Sequence, residues 1–215
     1  ADRTMATFLG ITSELSTDEI HQEALVDAEY LYMEGYLVTS PTSFNSMKHA
    51  QNIARKNGVK TVLSFSDPTI TTYFRDQLQE LIDLGIDFLF CNQDEAFDFA
   101  KTTVLQEAID TLKTLTQQFV ITLGKEGAIL FDGQTTTKIS SYPVKAKDTT
   151  GAGDLFAGAF LSALSQGKSF KEAGKTAAFS ASRVVTTYGP RLHPNELKEV
   201  QQFLAGQANA ELAAT

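Results

Sequence analysis

An α/β fold, with a doubly wound and mainly parallel sheet flanked by helices, is the class that the sequence predicts. Four short apolar runs begin at Tyr30, Val59, Ile86 and Phe119, and each is followed by a longer amphipathic segment. Repeated strand–helix units of this kind build parallel sheets that are covered by helices. The runs are largely apolar without a regular polar alternation, which indicates strands buried on both faces. We therefore expect residues 1–215 to form a single α/β domain.

The first part of the chain is predicted to contain four strands and three helices. Ser16 and Glu19 have the spacing of a capping box, in which each side chain bonds the backbone amide of the other residue, so a helix should follow. Gly58 suits the end of a later helix, because glycine readily adopts the left-handed conformation that terminates helices. The predicted strands are 4–11, 30–38, 59–65 and 86–91, and the predicted helices are 17–28, 42–56 and 71–84.

The second part of the chain is predicted to add three strands and five helices. The strand over 119–123 has the same buried character as those before it, and two antiparallel strands follow, joined by a turn at Asp132 and Gly133. These two strands are predicted over 125–131 and 135–142, and the helices over 94–100, 105–115, 151–165, 170–186 and 194–204.

Composition and charge exclude several classes of function. The 215 residues include 18 Lys and Arg against 26 Asp and Glu, a net charge of −8, and the basic residues are scattered. Such a chain repels phosphate backbones, so no nucleic-acid partner is expected. Cys91 is the single cysteine and lies in an apolar run, which favours an inert buried thiol in a reducing compartment. No apolar stretch reaches the roughly 18 residues of a membrane span, so we expect a cytoplasmic protein without a signal peptide or membrane partner.

The segment most indicative of chemistry is a glycine-rich turn at a predicted helix start, Asp148-Thr149-Thr150-Gly151-Ala152-Gly153-Asp154. Small residues there leave backbone amides exposed at the positive end of the helix dipole, which favours an anion. Asp154 would repel that anion unless it has a task such as accepting a proton from an attacking hydroxyl group. Close packing of small residues at a helix start is the alternative explanation.

Two other segments follow predicted buried strands. Asn92-Gln93-Asp94-Glu95 offers an amide and two carboxylates, which suit water-mediated contact with Mg²⁺ and phosphate, although a plain helix cap has the same composition. In Thr122-Leu123-Gly124-Lys125-Glu126-Gly127 the glycines allow the backbone to approach a ligand closely, although a plain turn needs them too.

Two familiar nucleotide-binding motifs are excluded. A Walker A loop would need glycine at Ser162, and the segment around Gly167 leaves a helix rather than a strand. The dinucleotide fingerprint fails because Phe156 occupies the position of its third glycine. The three histidines match no metal-ligand spacing, so a structural metal is not expected.

In this order and at these distances, the three segments resemble the ribokinase-like (PfkB) family of carbohydrate and nucleoside kinases. Residues 148–161 are similar to the C-terminal signature of that family, Asn92–Glu95 to its Asn-x-x-Glu motif, and Thr122–Gly127 to its nucleotide loop. Residues 3–10 and 30–36 look most like its adenosine-kinase-like branch. The resemblance extends over essentially the whole chain.

The resemblance implies ATP-dependent transfer of the γ-phosphoryl group to a hydroxymethyl group of a nucleoside, with adenosine the first candidate, or of a sugar. By position, Asp154 would be the base, and the amides of Gly151, Ala152 and Gly153 would form the anion hole. Asn92 and Glu95 would organise Mg²⁺ and the phosphates, and Thr122, Gly124 and Gly127 would line the nucleotide. Some relatives also bind a monovalent cation such as K⁺ near Asp148–Thr150, which the resemblance allows here.

The resemblance also implies that the N-terminal region of the family, with its early strands, its β lid and its Gly-Gly substrate motif, is not among these residues. We therefore expect the chain to be the C-terminal portion of a ribokinase-like kinase, without the residues that select the acceptor. An exposed sheet edge would favour association, and a homodimer is compatible with this.

Two alternatives remain open from sequence. A ribose- or fructose-type sugar kinase differs only in the missing substrate region. A non-catalytic nucleotide-binding fragment would keep the phosphate loops without turnover. The helix around Thr176–Ser180 also lacks an Asn that some relatives place in the adenine pocket, so the choice of ATP over another triphosphate stays a prediction.

Overall fold

A mixed six-stranded sheet flanked by helices confirms the predicted α/β class. The computed structural model describes residues 8–212, with side chains described through residue 206. The strands lie in chain order, β1-β2-β3-β4-β5-β6, and β1 pairs in parallel with β2 as β2 does with β3. The strands are β1 Tyr30–Glu34, β2 Lys60–Ser64, β3 Phe88–Asn92, β4 Gln118–Thr122, β5 Ala128–Phe131 and β6 Thr136–Ile139.

Nine α-helices are present in the described part of the chain, and most match the predicted positions. Their bounds are α1 Gln22–Val26, α2 Pro41–Lys56, α3 Pro68–Tyr73, α4 Arg75–Asp83, α5 Gln93–Ala100, α6 Leu105–Leu115, α7 Ala152–Ser165, α8 Phe170–Val184 and α9 Pro194–Leu212. Within residues 8–212, none of these helices has the length and apolar character needed to cross a bilayer.

The described residues divide into two compact units. The larger unit contains residues 8–121 and 131–135, and the smaller unit contains residues 122–130 and 136–212. Their charges differ in sign. The larger unit has 7 Lys and Arg against 18 Asp and Glu, a net charge of −11. The smaller unit has 10 against 7, a net charge of +3.

The core of the larger unit lies around β2, β3 and β4. Leu63, Leu89 and Ile121 are fully buried on these strands, as the absence of a polar alternation predicts. Phe65 and Phe99 are also fully buried and stack with their ring centroids 4.7 Å apart. The single thiol, Cys91, is buried as expected.

The segment before β1 differs from the prediction. Of the predicted strand 4–11, residues 4–7 lie outside the described residues, and a 3-10 helix, Gly10–Glu14, begins within the remainder. The Ser16–Glu19 capping box is present, but it opens a 3-10 turn and then only the short α1. None of the residues of α1 is buried, and a helix without a packed face is not stabilised over a longer span.

Several other boundaries also shift, among them the strand predicted over 135–142, which is Thr136–Ile139, and the helix predicted over 194–204, which extends to Leu212. The strand predicted over 30–38 ends at Glu34, because the Gly35 amide donates to Ser66 Oγ (2.8 Å) instead of continuing the strand, and a 3-10 helix follows. The helix predicted over 71–84 begins earlier, at an Asp67 cap, and is divided at Phe74, whose ψ of 27° leaves the helical range. The strand predicted from Lys125 begins only at Ala128, after a 3-10 turn.

The smaller unit packs α7 against α8 and places α9 on α8. Phe160 and Phe170 meet edge to face with centroids 5.0 Å apart, and Phe179 stacks on Phe203 at 4.3 Å. Another capping box, between Ser169 and Glu172, opens α8. This packing fixes the helix α7 at whose first turn the glycine-rich segment lies.

Candidate active site

The glycine-rich segment forms the start of α7, as predicted. Gly151 is the N-cap, with a φ of +74° in the left-handed region, and Ala152 is the first helical residue. At this N-cap a Cβ atom would lie 2.6 Å from Pro190 Cβ and 2.9 Å from Pro190 O, so glycine is required both by conformation and by space. The turn is therefore held against residue 190 without room for a side chain.

The first turn of α7 directs its backbone amides away from the helix, as at every helix start. The Ala152 amide donates to Thr149 O at 3.3 Å, so one of the three predicted anion-hole amides has a partner within the loop. Gly153 and Asp154 are exposed, and a Cβ atom at Gly153 would meet nothing within 4 Å. Open space therefore adjoins the amides and the Asp154 carboxylate, which is what an incoming anion and its acceptor would need.

The loop after β4 lies in the same smaller unit. Gly124 has a φ of +55° with open space where a Cβ atom would lie, whereas Gly127 has a φ of +97° and a Cβ atom there would meet Ile139 O. Leu123 N donates to Gly127 O at 2.8 Å and closes the loop. Gly127 is therefore explained by packing against β6, which is the plain-turn alternative, while Gly124 leaves the backbone accessible to a ligand.

Asn92 and Glu95 are brought together at the end of β3, in the larger unit. Asn92 Oδ1 accepts from Glu95 N (2.8 Å), and Glu95 Oε2 accepts from Asn92 N (2.9 Å), which makes a capping box for α5. Asn92 Nδ2 also donates to Glu95 Oε1 at 2.7 Å. The structure thus contains the helix cap that was the alternative explanation of this segment, and both Glu95 carboxylate oxygens accept a hydrogen bond from Asn92.

Glu95 is an unusual capping residue because it is only 4% exposed. Desolvation raises the pKa of its carboxyl group to about 7, against the lowering effect of its bond with Asn92. The negative charges of Asp67, Glu34 and Asp94 raise this pKa further. A cation near this carboxylate would relieve the repulsion, so the surroundings favour positive charge.

The donors at Asn92 and Glu95 fit a Mg²⁺ ion only in a limited way. Among residues 8–212, no group of three His, Cys, Asp or Glu side chains is arranged to hold a metal ion. Kinase Mg²⁺ ions use one or two carboxylates and keep several waters and phosphate oxygens as ligands. Because Glu95 already accepts from Asn92, the pair fits a cation held through water and phosphate rather than a cage of protein ligands.

Sequence reasoning missed Glu34, Ser66 and Asp67. Glu34 ends β1, and its carboxylate accepts from Ser66 Oγ at 2.6 Å. Ser66, with a φ of +68°, and Asp67 lie two and three residues after the end of β2. The signal was available, since carboxylates follow three adjacent parallel strands at the edge where α/β proteins bind ligands.

The predicted site residues therefore divide between the two units. Asn92 and Glu95 belong to the larger, acidic unit, and the glycine loops and Asp154 belong to the smaller, basic unit. The segment with a φ-positive glycine, an open helix start and an exposed carboxylate is the best candidate centre for phosphate chemistry.

Comparisons with known proteins agree on one family. The sequence pattern of the pfkB family of carbohydrate kinases matches residues 1–197. The chain is 29% identical over 165 residues to the ribokinase of Lactococcus lactis, covering 74% of this chain and 52% of that protein. It is 28% identical over 216 residues to the adenosine kinase of Schizophyllum commune, covering 88% and 61%.

A solved structure gives the same picture. The adenosine kinase from Sinorhizobium meliloti superposes with a TM-score of 0.85 at 28% identity, covering 88% of this chain and 59% of that one. The chain thus spans 52–61% of the length of these relatives. Since the family pattern extends over most of its residues, the chain belongs to the pfkB family of carbohydrate kinases.

Proposed function

We propose that the chain takes part in the ATP-dependent phosphorylation of a hydroxymethyl group on a nucleoside, with adenosine the first candidate, or on a sugar. The observation that supports this most directly is the start of α7, where a tightly packed Gly151 N-cap is followed by the exposed Gly153 and the exposed Asp154 within the first turn of the helix. An anion site and a proton acceptor within one helical turn suit phosphoryl transfer to a hydroxyl group.

In the proposed reaction Asp154 orients the acceptor hydroxyl group and takes its proton. As the hydroxyl oxygen bonds to the γ-phosphorus, the bond from that phosphorus to the bridging oxygen of ADP breaks, and ADP leaves. The amides at residues 151–153 stabilise the negative charge on the transferring group. The transition state is loose, so positioning and charge stabilisation supply most of the acceleration.

Nucleotide and metal are assigned to the remaining predicted residues. Thr122 and Gly124 line the nucleotide, while Gly127 keeps the loop closed against β6, and the net charge of +3 of their unit favours an anionic ligand. Asn92 and Glu95 would hold Mg²⁺ through water, and a bound ion would supply positive charge for phosphate groups. Assays in potassium chloride and in tetramethylammonium chloride test the monovalent cation that the family resemblance allows.

The test is ADP release from Mg·ATP with adenosine, ribose and fructose as separate acceptors. Asp154→Asn should lower turnover by about 10²- to 10⁴-fold and leave the affinity for ATP within a few-fold, because the lost group acts on the acceptor proton. Asp110→Asn, a surface change on α6 in the larger unit, is the matched control and should be without effect.

The acceptor that supports ADP release distinguishes a nucleoside kinase from a sugar kinase. Comparable turnover in Asp154→Asn and the unchanged chain would overturn the assignment of the base. Calorimetric binding of Mg·ATP without turnover on any acceptor would favour the non-catalytic nucleotide-binding alternative.

A further inference from the structure

Asp148 joins two distant backbone segments of the smaller unit. Its Oδ1 atom accepts from Thr150 N (2.9 Å) and from Thr150 Oγ1 (2.6 Å). Its Oδ2 atom accepts from Gly189 N at 3.0 Å, 41 residues further along the chain. One half-buried carboxylate thus fixes the turn before α7 and attaches it to the segment that follows α8.

Two further contacts act on the same pair of segments. Lys147 N donates to Val185 O at 2.7 Å, so the chain just before Asp148 is bonded to the end of α8. Just after it, Gly151 lies so close to Pro190 that a Cβ atom would be 2.6 Å from Pro190 Cβ. The segment 147–151 is therefore held against 185–190 by a backbone bond, a carboxylate and a tight packing contact, with the carboxylate in the middle.

The turn contacts alone do not distinguish Asp148. Asp132, in the larger unit, accepts from Gln134 N (2.9 Å) and Thr135 N (2.7 Å) in a similar way, as aspartates in turns commonly do. What distinguishes Asp148 is the long-range bond to Gly189. To bond Gly189 as well as Thr150, residue 148 uses two acceptor oxygens. An asparagine could not replace it, because asparagine has one acceptor oxygen and its amide nitrogen cannot accept from a backbone N–H.

We propose that Asp148 is a positioning residue, whose carboxylate fixes the Thr150–Gly151 turn to residues 185–190 and so sets the direction of the anion-hole amides at the start of α7. The inference rests on the proposed function, since the amides matter only if they bind the transferring phosphoryl group. Asp148 acts through the turn. The group that takes the proton remains Asp154.

Hydrogen exchange on the nucleotide-free chain tests the positioning directly. Asp148→Asn keeps one acceptor oxygen and loses the other, and loss of a bond to a charged acceptor should speed exchange of the bonded amides of Thr150, Ala152 and Gly189 about tenfold. Asp148→Ala loses both links and should speed it further. Asp132→Asn is the matched control, since it alters a similar turn outside this unit, and exchange of these three amides should stay unchanged.

Steady-state kinetics provide a second test, because a merely structural role of Asp148 would not lower kcat selectively while leaving KM unchanged. In Asp148→Asn we expect kcat to fall about tenfold with the KM for Mg·ATP within threefold, because amide direction matters most in the transition state. Unchanged exchange of the Thr150, Ala152 and Gly189 amides in Asp148→Ala, faster exchange spread evenly through α7 and α8, or unaltered kcat despite faster local exchange would each overturn the inference. Absence of turnover in the unchanged chain, with the local exchange response present, would instead refute the proposed function.

Discussion

Replacing Gly151 with alanine is the most direct test of the structure around the candidate anion hole. Gly151 is buried and has a φ of +74°, and the added methyl group would lie 2.6 Å from Pro190 Cβ, 2.7 Å from Pro190 Cα and 2.9 Å from Pro190 O. Two of these atoms belong to the backbone, so the clash cannot be relieved by rotating a flexible side chain.

The expected destabilisation has two parts. A non-glycine residue in the left-handed region costs about 1–2 kcal/mol. Carbon atoms pack at about 3.5–4.0 Å, so Pro190 or the N-cap must move by roughly 1 Å, and overpacking of this kind costs about 1–3 kcal/mol. The free energy of unfolding should therefore fall by about 2–5 kcal/mol, a large part of the stability of an ordinary domain.

Thermal and urea unfolding measure this change, with Gly158→Ala as the matched control. Gly158 lies inside the same helix, is exposed, and would meet nothing within 4 Å if it carried a Cβ atom. Alanine there should stabilise the chain by up to about 1 kcal/mol. For a chain of this size Gly151→Ala should lower Tm by about 4–20 °C. A Gly151→Ala variant within about 0.5 kcal/mol of the unchanged chain, or equal losses in both variants, would refute the reasoning.

The remaining predictions concern three other buried positions. The folded chain binds the Glu95 proton more tightly than the unfolded chain does, so the free energy of unfolding should fall by about 3 kcal/mol as the pH rises from 4.5 through 7. In urea titrations at a series of pH values, Glu95→Gln should not show this decrease. Gly127→Ala should lose more stability than Gly124→Ala, since only the first places a Cβ atom against Ile139 O, and equal unfolding midpoints would contradict this. Burial raises the pKa of the Cys91 thiol, so a thiol reagent at pH 8 should react only after denaturation, and rapid reaction of the native chain would show that the site is open.

The sheet could be predicted well from sequence because its strands are buried on both faces. The predicted bounds of β2, β3 and β4 lie within two residues of the observed bounds, and those of α6 are identical to them. These elements are buried on one or both faces, so their apolar residues recur in the sequence with the period of a strand or helix. The region before β1 could not be placed in the same way. Its capping box is real, but the helix after it has no buried face, and local signals alone do not extend a helix.

The position of breaks within elements depended on tertiary contacts that no local pattern contains. β1 ends at Glu34 because Ser66, 31 residues away from Gly35, accepts from the Gly35 amide. The same holds for the candidate site. The importance of Gly151 for packing depends on Pro190, and the role of Asp148 depends on Gly189, so both became visible only in the folded chain.

The Asn92–Glu95 pair also bears on how such sequences are interpreted across evolution. The two side chains bond each other without any ligand and cap α5 as Ser169 and Glu172 cap α8. A cap of this kind contributes about 1 kcal/mol to folding. The raised pKa of Glu95 means that its ionised carboxylate costs more than this near neutral pH. Selection for folding alone would therefore favour Asn-x-x-Gln, because glutamine keeps the cap without the buried charge. Retention of glutamate at this position would then indicate selection for the cation site that we propose, rather than for the helix cap.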